Sequence, residues 1–222
     1  MARKSQNLRS SRSVCRQDVC APSESWRVFC AIEVPATVRK RVMEHIGRLR
    51  DSVPDAHASW SRDRNLHLTL KFLGEIPKAR VENLSLAAGR AVRWLSSVNL
   101  VIERTGVFPD NAPPRVLWIG VSDPSRRLSE LYERLEEECA RESFPKDARP
   151  FHPHLTLARL RKPQGTRALA SAHKQMPFEP IEISVSELLV IRSELSSEGS
   201  KYSLISRHVL GAQASCAKRE KS

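Results

Sequence analysis

The four-residue segment His-Leu-Thr-Leu occurs twice in this chain, at residues 67–70 and again at residues 154–157. Both copies lie in longer segments, HLTLKFLG and HPHLTLARL, whose alternating polar and apolar residues are typical of a β-strand with one buried face. A strand that recurs with its polar residues intact indicates an internal duplication. The chain has 222 residues, which is long enough for one domain made of two similar halves.

The segments around the two copies alternate between strand and helix patterns in a similar order. In the first half we expect four strands, at residues 26–34, 65–73, 99–108 and 115–121. We also expect two amphipathic helices, one after Pro35 and one after Pro77. In the second half we expect helices over 124–142 and after Pro163, and strands over 152–160, 181–193 and 201–210. This order predicts an α+β fold, a two-lobed duplicated β-α-β-type architecture with antiparallel sheets facing a central cleft.

The two ends of the chain differ in composition from the part between them. Residues 1–25 are rich in arginine and serine without a hydrophobic period, so we expect a disordered basic extension, and residues 211–222 predict a flexible tail. The folded domain is therefore predicted over residues 26–210. Residues 1–24 have five basic and two acidic side chains, a net charge of +3, and residues 211–222 have three basic and one acidic side chain, a net charge of +2. The rest of the chain therefore carries +7 of the total net charge of +12. This excess favours a polyanionic partner such as nucleic acid.

The composition also indicates a compartment. The five cysteines are odd in number and scattered, without a Cys-x-x-Cys pair, which favours a reduced intracellular setting over a disulfide framework or a zinc site. No apolar run approaches the roughly 18–20 residues that cross a bilayer, and the N-terminus lacks the apolar segment of a secretory signal peptide. We therefore expect a cytoplasmic protein without membrane contact. We also expect a monomer.

The repeated segment places two polar side chains on the same face of each strand. His67 and Thr69 project to one side, and Leu68 and Leu70 project to the other, because successive side chains of a strand alternate. The second copy has the same arrangement. A buried polar group without a partner costs about 1–3 kcal/mol. We therefore expect the leucines to face the core, and we expect the polar pairs either to form hydrogen bonds with each other or to line a cleft between the lobes.

Two histidines and two threonines facing one cleft suit the cleavage of a phosphodiester. One imidazole can accept a proton from water while the other donates a proton to the leaving oxygen, since histidine titrates near pH ~6.5. Threonine hydroxyls can donate hydrogen bonds to the phosphate oxygens as negative charge develops there. This chemistry requires neither a metal ion nor another cofactor, and the sequence shows no obvious carboxylate cluster to hold a metal.

The paired segments HLTLKFLGE and HPHLTLARL resemble the two His-x-Thr-x signatures of the 2H phosphoesterase superfamily. In particular, the chain is similar to the RNA 2′,3′-cyclic phosphodiesterases of bacteria and archaea, also called 2′-5′ RNA ligases. The resemblance extends to RVFCAIEVPATVRKRV, PRVLWIGV and the closing GSKYSL, and it covers about residues 26–210.

The resemblance implies a cleft between two lobes and hydrolysis of an RNA 2′,3′-cyclic phosphate end to a 2′-phosphate. His67 would be the proton donor to the 3′-oxygen, and His154 would be the proton acceptor that activates water. Thr69, Thr156 and Arg159 would bind the phosphate. Strict alternation puts Arg159 on the face opposite His154, so a bulge or a strand end must turn it inward.

Several other residues near the repeat have more ordinary interpretations. Lys71 shares the alternating face of His67, and we expect an exposed lysine at the cleft rim. His152 is interpreted as a loop residue at the cleft mouth, and Tyr202 as a packing residue of the last hairpin. The remaining aromatic and histidine candidates are assigned to packing or the surface, namely Phe72, Phe151, His45, His57, His173 and His208.

The sequence leaves alternatives open. The same site could perform 2′-5′ RNA ligation, in which a ribose hydroxyl replaces water. A non-catalytic RNA-binding module would also explain the basic charge, and a metal-dependent phosphodiesterase is a third possibility. Neither the natural RNA substrate nor the role of the basic extension follows from the sequence.

Overall fold

The computed structural model describes residues 24–196 and 199–211. Four helices are present in this part of the chain: α1 (Ala36–Ser52), α2 (Val81–Val92), α3 (Arg127–Arg141) and α4 (Thr166–Gln175). The strands are β1 (Ser25–Glu33), β2 (Ser59–Trp60), β3 (His67–Pro77), β4 (Val98–Phe108), β5 (Val116–Ser122), β6 (His154–Arg159), β7 (Ile181–Val185), β8 (Glu187–Ser196) and β9 (Gly199–Val209). Short 3₁₀ turns span Asp63–Asn65 and Lys78–Arg80.

All strand pairs are antiparallel, and the order β7-β4-β5-β6-β3-β1-β8-β9 divides the sheet into two lobes. The first lobe contains β3, β1, β8 and β9, and the second contains β6, β5, β4 and β7. The lobes meet where β3 pairs with β6 through Leu68 and Leu155. This arrangement confirms the α+β fold with two antiparallel lobes.

The prediction of one strand is wrong. Residues 181–193 form two strands rather than one, because the chain changes partner at Ser186: β7 pairs with β4 in the second lobe, and β8 pairs with β1 in the first. In a similar way β4, which follows α2, crosses to the second lobe and pairs with β5. Each repeat therefore contributes strands to both lobes. The two-residue strand β2, which pairs with the end of β6, was not predicted.

The four helices cover one face of the sheet and leave the other face open. The apolar stripe of α1, formed by Val38, Val42, Ile46 and Leu49, is buried in the same core as Leu68 and Leu155. The amphipathic pattern predicted this burial, since a helix buries the stripe at spacings of three and four residues. A smaller cluster lies on the open face of the first lobe and consists of Phe29, Ala31, Leu189 and Ile191, with Tyr202 packed against it.

The predicted extension over 1–25 and the tail over 211–222 lie outside the described residues, except for Glu24, Ser25 and Gly211. The amide of Gly211 donates to the carbonyl of Val92 at 3.1 Å. Within the described ranges, no helix is both long and apolar enough to span a membrane. Cys30 and Cys139 are buried free thiols.

Candidate active site

The pairing between the lobes brings the two repeated segments together. Leu68 lies directly opposite Leu155, and both side chains are buried on the helix side of the sheet. Because β3 and β6 run antiparallel, His67 lies towards Thr156, and Thr69 lies towards His154. All four polar side chains are only partly buried. The sheet therefore presents two histidines and two threonines on its open face, as the alternation predicts.

Each of these strands carries a bulge at the second leucine of its motif. On β3 the register with β1 jumps from Thr69 to Lys71, and on β6 the register with β5 jumps from Thr156 to Ala158. The skipped residues are Leu70 and Leu157. A bulge adds one residue to a strand and so reverses the alternation beyond it.

The bulge on β6 turns Arg159 to the face of His154 and Thr156, whereas Ala158 becomes buried. The positive charge of Arg159 is close enough to disfavour protonation of both His67 and His154. The structure therefore supplies the bulge that a phosphate-binding role for Arg159 requires.

The expectation for Lys71 is wrong for the same reason. The bulge at Leu70 turns Lys71 towards the helices, where its side chain is 3% exposed. Its ammonium group lies 2.5 Å from Glu136 of α3 and donates to the carbonyl of Pro145 at 2.8 Å. The second oxygen of Glu136 accepts from the amide of Asp147, so the ion pair holds the loop that leads to β6. Lys71 is a buried structural residue rather than part of the cleft.

Backbone carbonyls hold both imidazoles in place. The Nδ1 atom of His154 donates to the carbonyl of His152 at 2.6 Å, and the ring of His67 has a backbone hydrogen bond with Asn65. A histidine that donates through Nδ1 presents Nε2 as its free nitrogen. For His154 this nitrogen is available for proton transfer on the open face.

Aromatic rings flank each histidine, and pattern reasoning did not find this shell. His67 stacks on Phe29 with ring centroids 4.8 Å apart and meets the edge of Tyr202 at 5.3 Å. On the other side, His154 meets Phe108 at 5.1 Å and Trp118 at 6.4 Å. Tyr202 does lie in the last hairpin, but it packs against a candidate site residue.

This shell lowers the basicity of both histidines. Burial, with a smaller contribution from Arg159, lowers the pKa of His67 to about 4. Burial is also the main cause that lowers the pKa of His154. Charged imidazolium is disfavoured where neighbouring groups exclude water. Without a bound anion, both imidazoles are therefore mainly neutral at pH 7.

Gly106 makes room for the Trp118 ring beside His154. An added Cβ at Gly106 would lie 2.1 Å from the indole, so we expect Gly106→Ala to displace Trp118 and to lower the free energy of unfolding by about 1–3 kcal/mol. Urea denaturation measures this loss. Gly47→Ala is the control, because nothing lies within 4 Å of a Cβ added at this position. Alanine inside α1 should raise the free energy of unfolding by about 0.5–1 kcal/mol. Equal stability of the two variants would contradict the packing assigned to Trp118.

The other histidines lie away from the open face or at its edge. His45 and His173 are buried together between α1 and α4, with Nε2 of His45 3.3 Å from Nδ1 of His173. His173 also donates to the carbonyl of Trp118 at 3.0 Å, which agrees with a packing role. His152 lies 6.2 Å from the Phe108 ring, next to the site. Among the described residues, no cluster of three or more His, Cys, Asp or Glu has the proximity to hold a metal ion.

Known proteins are similar to this chain in sequence and in architecture. A sequence model of the 2′-5′ RNA ligase superfamily matches residues 35–196. The RNA 2′,3′-cyclic phosphodiesterase of Thermotoga maritima is 32% identical over 180 residues, which cover 81% of this chain and 92% of the relative. The Escherichia coli protein of the same name is 37% identical over 137 residues, covering 62% and 73% respectively.

Solved structures give the same result. The crystal structure of TT0787 of Thermus thermophilus matches with a TM-score of 0.69 and 26% identity, and covers 84% of this chain and 99% of that chain. The crystal structure of E. coli LigT complexed with 3′-AMP matches with a TM-score of 0.65 and 28% identity, and covers 85% and 100%. The sequence match, the two-lobed sheet and the paired His-Leu-Thr-Leu strands agree, and the chain belongs to the 2′-5′ RNA ligase superfamily of 2H phosphoesterases.

Proposed function

We propose that the protein hydrolyses RNA 2′,3′-cyclic phosphate ends to 2′-phosphates, with His67 as the general acid and His154 as the general base. The observation that carries the proposal is the pairing of Leu68 with Leu155, which sets both histidines on one open face. The relatives named RNA 2′,3′-cyclic phosphodiesterase support the reaction. The LigT structure with 3′-AMP supports a nucleotide phosphate as the ligand of this fold.

The proposed reaction uses the two histidines as proton carriers. Nε2 of His154 accepts a proton from water, and the water oxygen forms a bond to phosphorus. The bond from phosphorus to the 3′-oxygen breaks, and that oxygen takes a proton from His67. Thr69, Thr156 and Arg159 stabilise the negative charge on the phosphate oxygens during the transfer. The assignment of acid and base follows the family resemblance, because the two motifs are nearly symmetric.

The partner we propose is an RNA or oligonucleotide with a cyclic phosphate end, and we place the protein in the cytoplasm as a monomer. The basic net charge of +12 supports an RNA partner. The buried free thiols of Cys30 and Cys139 are consistent with a reducing compartment. Metal independence remains a prediction of the two-histidine chemistry.

Hydrolysis and ligation can be separated in one assay. A short RNA with a 2′,3′-cyclic phosphate end is incubated with the protein and EDTA, with and without a second RNA that carries a 5′-hydroxyl. We expect each cyclic end to gain one water in both reactions, as mass spectrometry would show. Accumulation of a joined product would instead identify ligation as the activity, and no reaction of either kind would refute the proposal.

The dependence of rate on pH tests the role of His67. The acid must be protonated, and a pKa of about 4 in the free protein means that its protonated fraction falls as pH rises above that value. A bound phosphate anion favours the imidazolium and raises this pKa. Since kcat/KM reports the free enzyme and kcat the complex, we expect bell-shaped profiles in which the alkaline limb of kcat lies at higher pH than that of kcat/KM. Coincident alkaline limbs, or flat profiles, would contradict the assignment.

A further inference from the structure

The open face of the first lobe continues beyond His67 and Thr69 into an aromatic and basic strip. Strand β1 pairs regularly with β8, so Arg27, Phe29 and Ala31 share this face. Their partners on β3 are Glu75, Phe72 and Thr69 respectively. A row of rings therefore follows the candidate phosphate site, and Arg27 comes next.

Arg27 is held over the exposed ring of Phe72. The guanidinium carbon lies 4.6 Å from the ring centroid, and Phe72 is 48% exposed. In the described part of the chain, no carboxylate lies within ion-pair distance of Arg27. The carboxylate of its cross-strand partner Glu75 lies towards Ser25, from which it accepts a hydrogen bond at 3.3 Å. The positive charge of Arg27 therefore points back towards the site and is not neutralised by an ion pair.

The two lobes differ at the position that follows the bulge. Phe72 on β3 corresponds to Arg159 on β6, because each is the third residue after the threonine of its motif and each returns to the open face. The second lobe thus has the cation Arg159 at this position, next to the proposed phosphate site. The first lobe has the ring of Phe72 at the equivalent position, with Arg27 stacked on that ring. An aromatic ring with an arginine over it is a surface that binds nucleotides by stacking and by charge.

The proposed direction of proton transfer places the RNA on this strip. His67 protonates the 3′-oxygen, which belongs to the terminal ribose, so the ribose lies on the side of the first lobe. Water enters from the side of His154. The strand that precedes the terminal ribose can then leave over the first lobe, where Phe72 and Arg27 continue the open face. Ala31 and Phe29 pair with Thr69 and Phe72, respectively. They are about 7 Å apart along the strand, which is about the length of one nucleotide.

We propose that Arg27, held by Phe72, binds the phosphodiester on the 5′ side of the terminal nucleotide. This inference rests on the proposed function and names its preferred substrate, an RNA strand of at least two nucleotides. Arginine is suited to the role because its planar fork donates two hydrogen bonds to a phosphate. A cyclic mononucleotide would fill the catalytic end and leave Arg27 without a ligand.

The test compares two substrates with the same terminal base. Steady-state rates are measured for a 2′,3′-cyclic mononucleotide and for the corresponding cyclic-ended dinucleotide, with wild type, Arg27→Ala and Arg27→Gln. We expect the wild type to prefer the dinucleotide. Both variants should reduce this preference by about tenfold, mainly through a higher KM, since one charge-assisted contact is lost. The salt dependence of dinucleotide binding should also weaken, by about 0.7 in the log–log slope.

Arg192 provides a matched control. Its guanidinium also stacks on an aromatic ring, that of Trp26 at 4.2 Å, but its partner on β1 is Val28, which faces the helix side of the sheet. Arg192→Ala should leave the preference unchanged. If the variants of Arg27 lose the same factor on both substrates, or lose nothing, the inference is wrong and the proposed function stands. If wild type turns over neither substrate, the proposed function fails and the inference fails with it.

Discussion

His67→Ala and His154→Ala are each expected to lower kcat for a 2′,3′-cyclic phosphate by about 10²–10⁴-fold, the usual contribution of one proton-transferring side chain. The kcat of the double variant should be only slightly lower than that of the less active single variant, because each proton transfer accelerates the reaction little when the other is missing. Rates are measured on a cyclic-ended dinucleotide at saturating concentration. Retention of more than a tenth of the wild-type kcat in either variant would contradict the two-histidine mechanism.

The same variants separate an enzyme from a binding module. RNA affinity, measured by fluorescence anisotropy with the cyclic-ended RNA, should change far less than kcat, because Thr69, Thr156 and Arg159 remain in place. His57→Ala is the matched control, since His57 is an exposed loop residue. It should match wild type in both measurements. A wild type that binds this RNA without turnover would identify a binding module.

The largest expected loss of stability comes from Glu136→Ala. Lys71 and Glu136 have side chains that are only 3% and 7% exposed, so removal of the carboxylate leaves the lysine charge buried and unpaired. Such a change lowers the free energy of unfolding by about 3–5 kcal/mol. Urea denaturation at neutral pH measures the effect. The loop that leads to β6 should also loosen, because Glu136 accepts the amide of Asp147.

Two variants make this prediction specific. Lys71→Met combined with Glu136→Leu removes both charges and should recover most of the stability, since an apolar pair of similar size often replaces a buried ion pair without loss. Glu130→Ala on the same helix breaks an exposed pair with Arg134 and should lower stability by less than about 1 kcal/mol. A similar loss in Glu130→Ala and Glu136→Ala would mean that burial of the Lys71 pair has no energetic weight.

The repeated strands were predictable because their signal is local. Alternation alone separates His67 and Thr69 from Leu68, and the structure confirms that division on both motif strands. The helices were predictable for a similar reason, since each buries a stripe with spacings of three and four residues. The composition could not have given these results, because it carries no information on which face a residue occupies.

Beyond the motifs, the faces depend on register. The bulges at Leu70 and Leu157 reverse the alternation, so Lys71 leaves the cleft and Arg159 enters it. The same local sequence, a threonine followed by leucine, would fit a regular strand equally well. Only pairing with β1 and β5 determines that one residue is skipped.

The aromatic shell and the change of partner at Ser186 were missed because both arise from distant pairings. Phe29, Phe108 and Trp118 reach the histidines from strands whose order the sequence does not specify. Residues 181–193 have one continuous strand pattern, yet they serve two lobes. Neighbouring strands of a sheet are not always neighbours in sequence, so a single sequence leaves such contacts undetermined.

The decisive measurement is the position of the phosphate on the product. A 2′,3′-cyclic mononucleotide is incubated with the protein and EDTA, and the product is identified by phosphorus NMR. In the proposed mechanism His67 protonates the 3′-oxygen and His154 activates water, so the product should be the 2′-monophosphate. A 3′-monophosphate would contradict the proposed arrangement, because the 2′-oxygen would then be the leaving group.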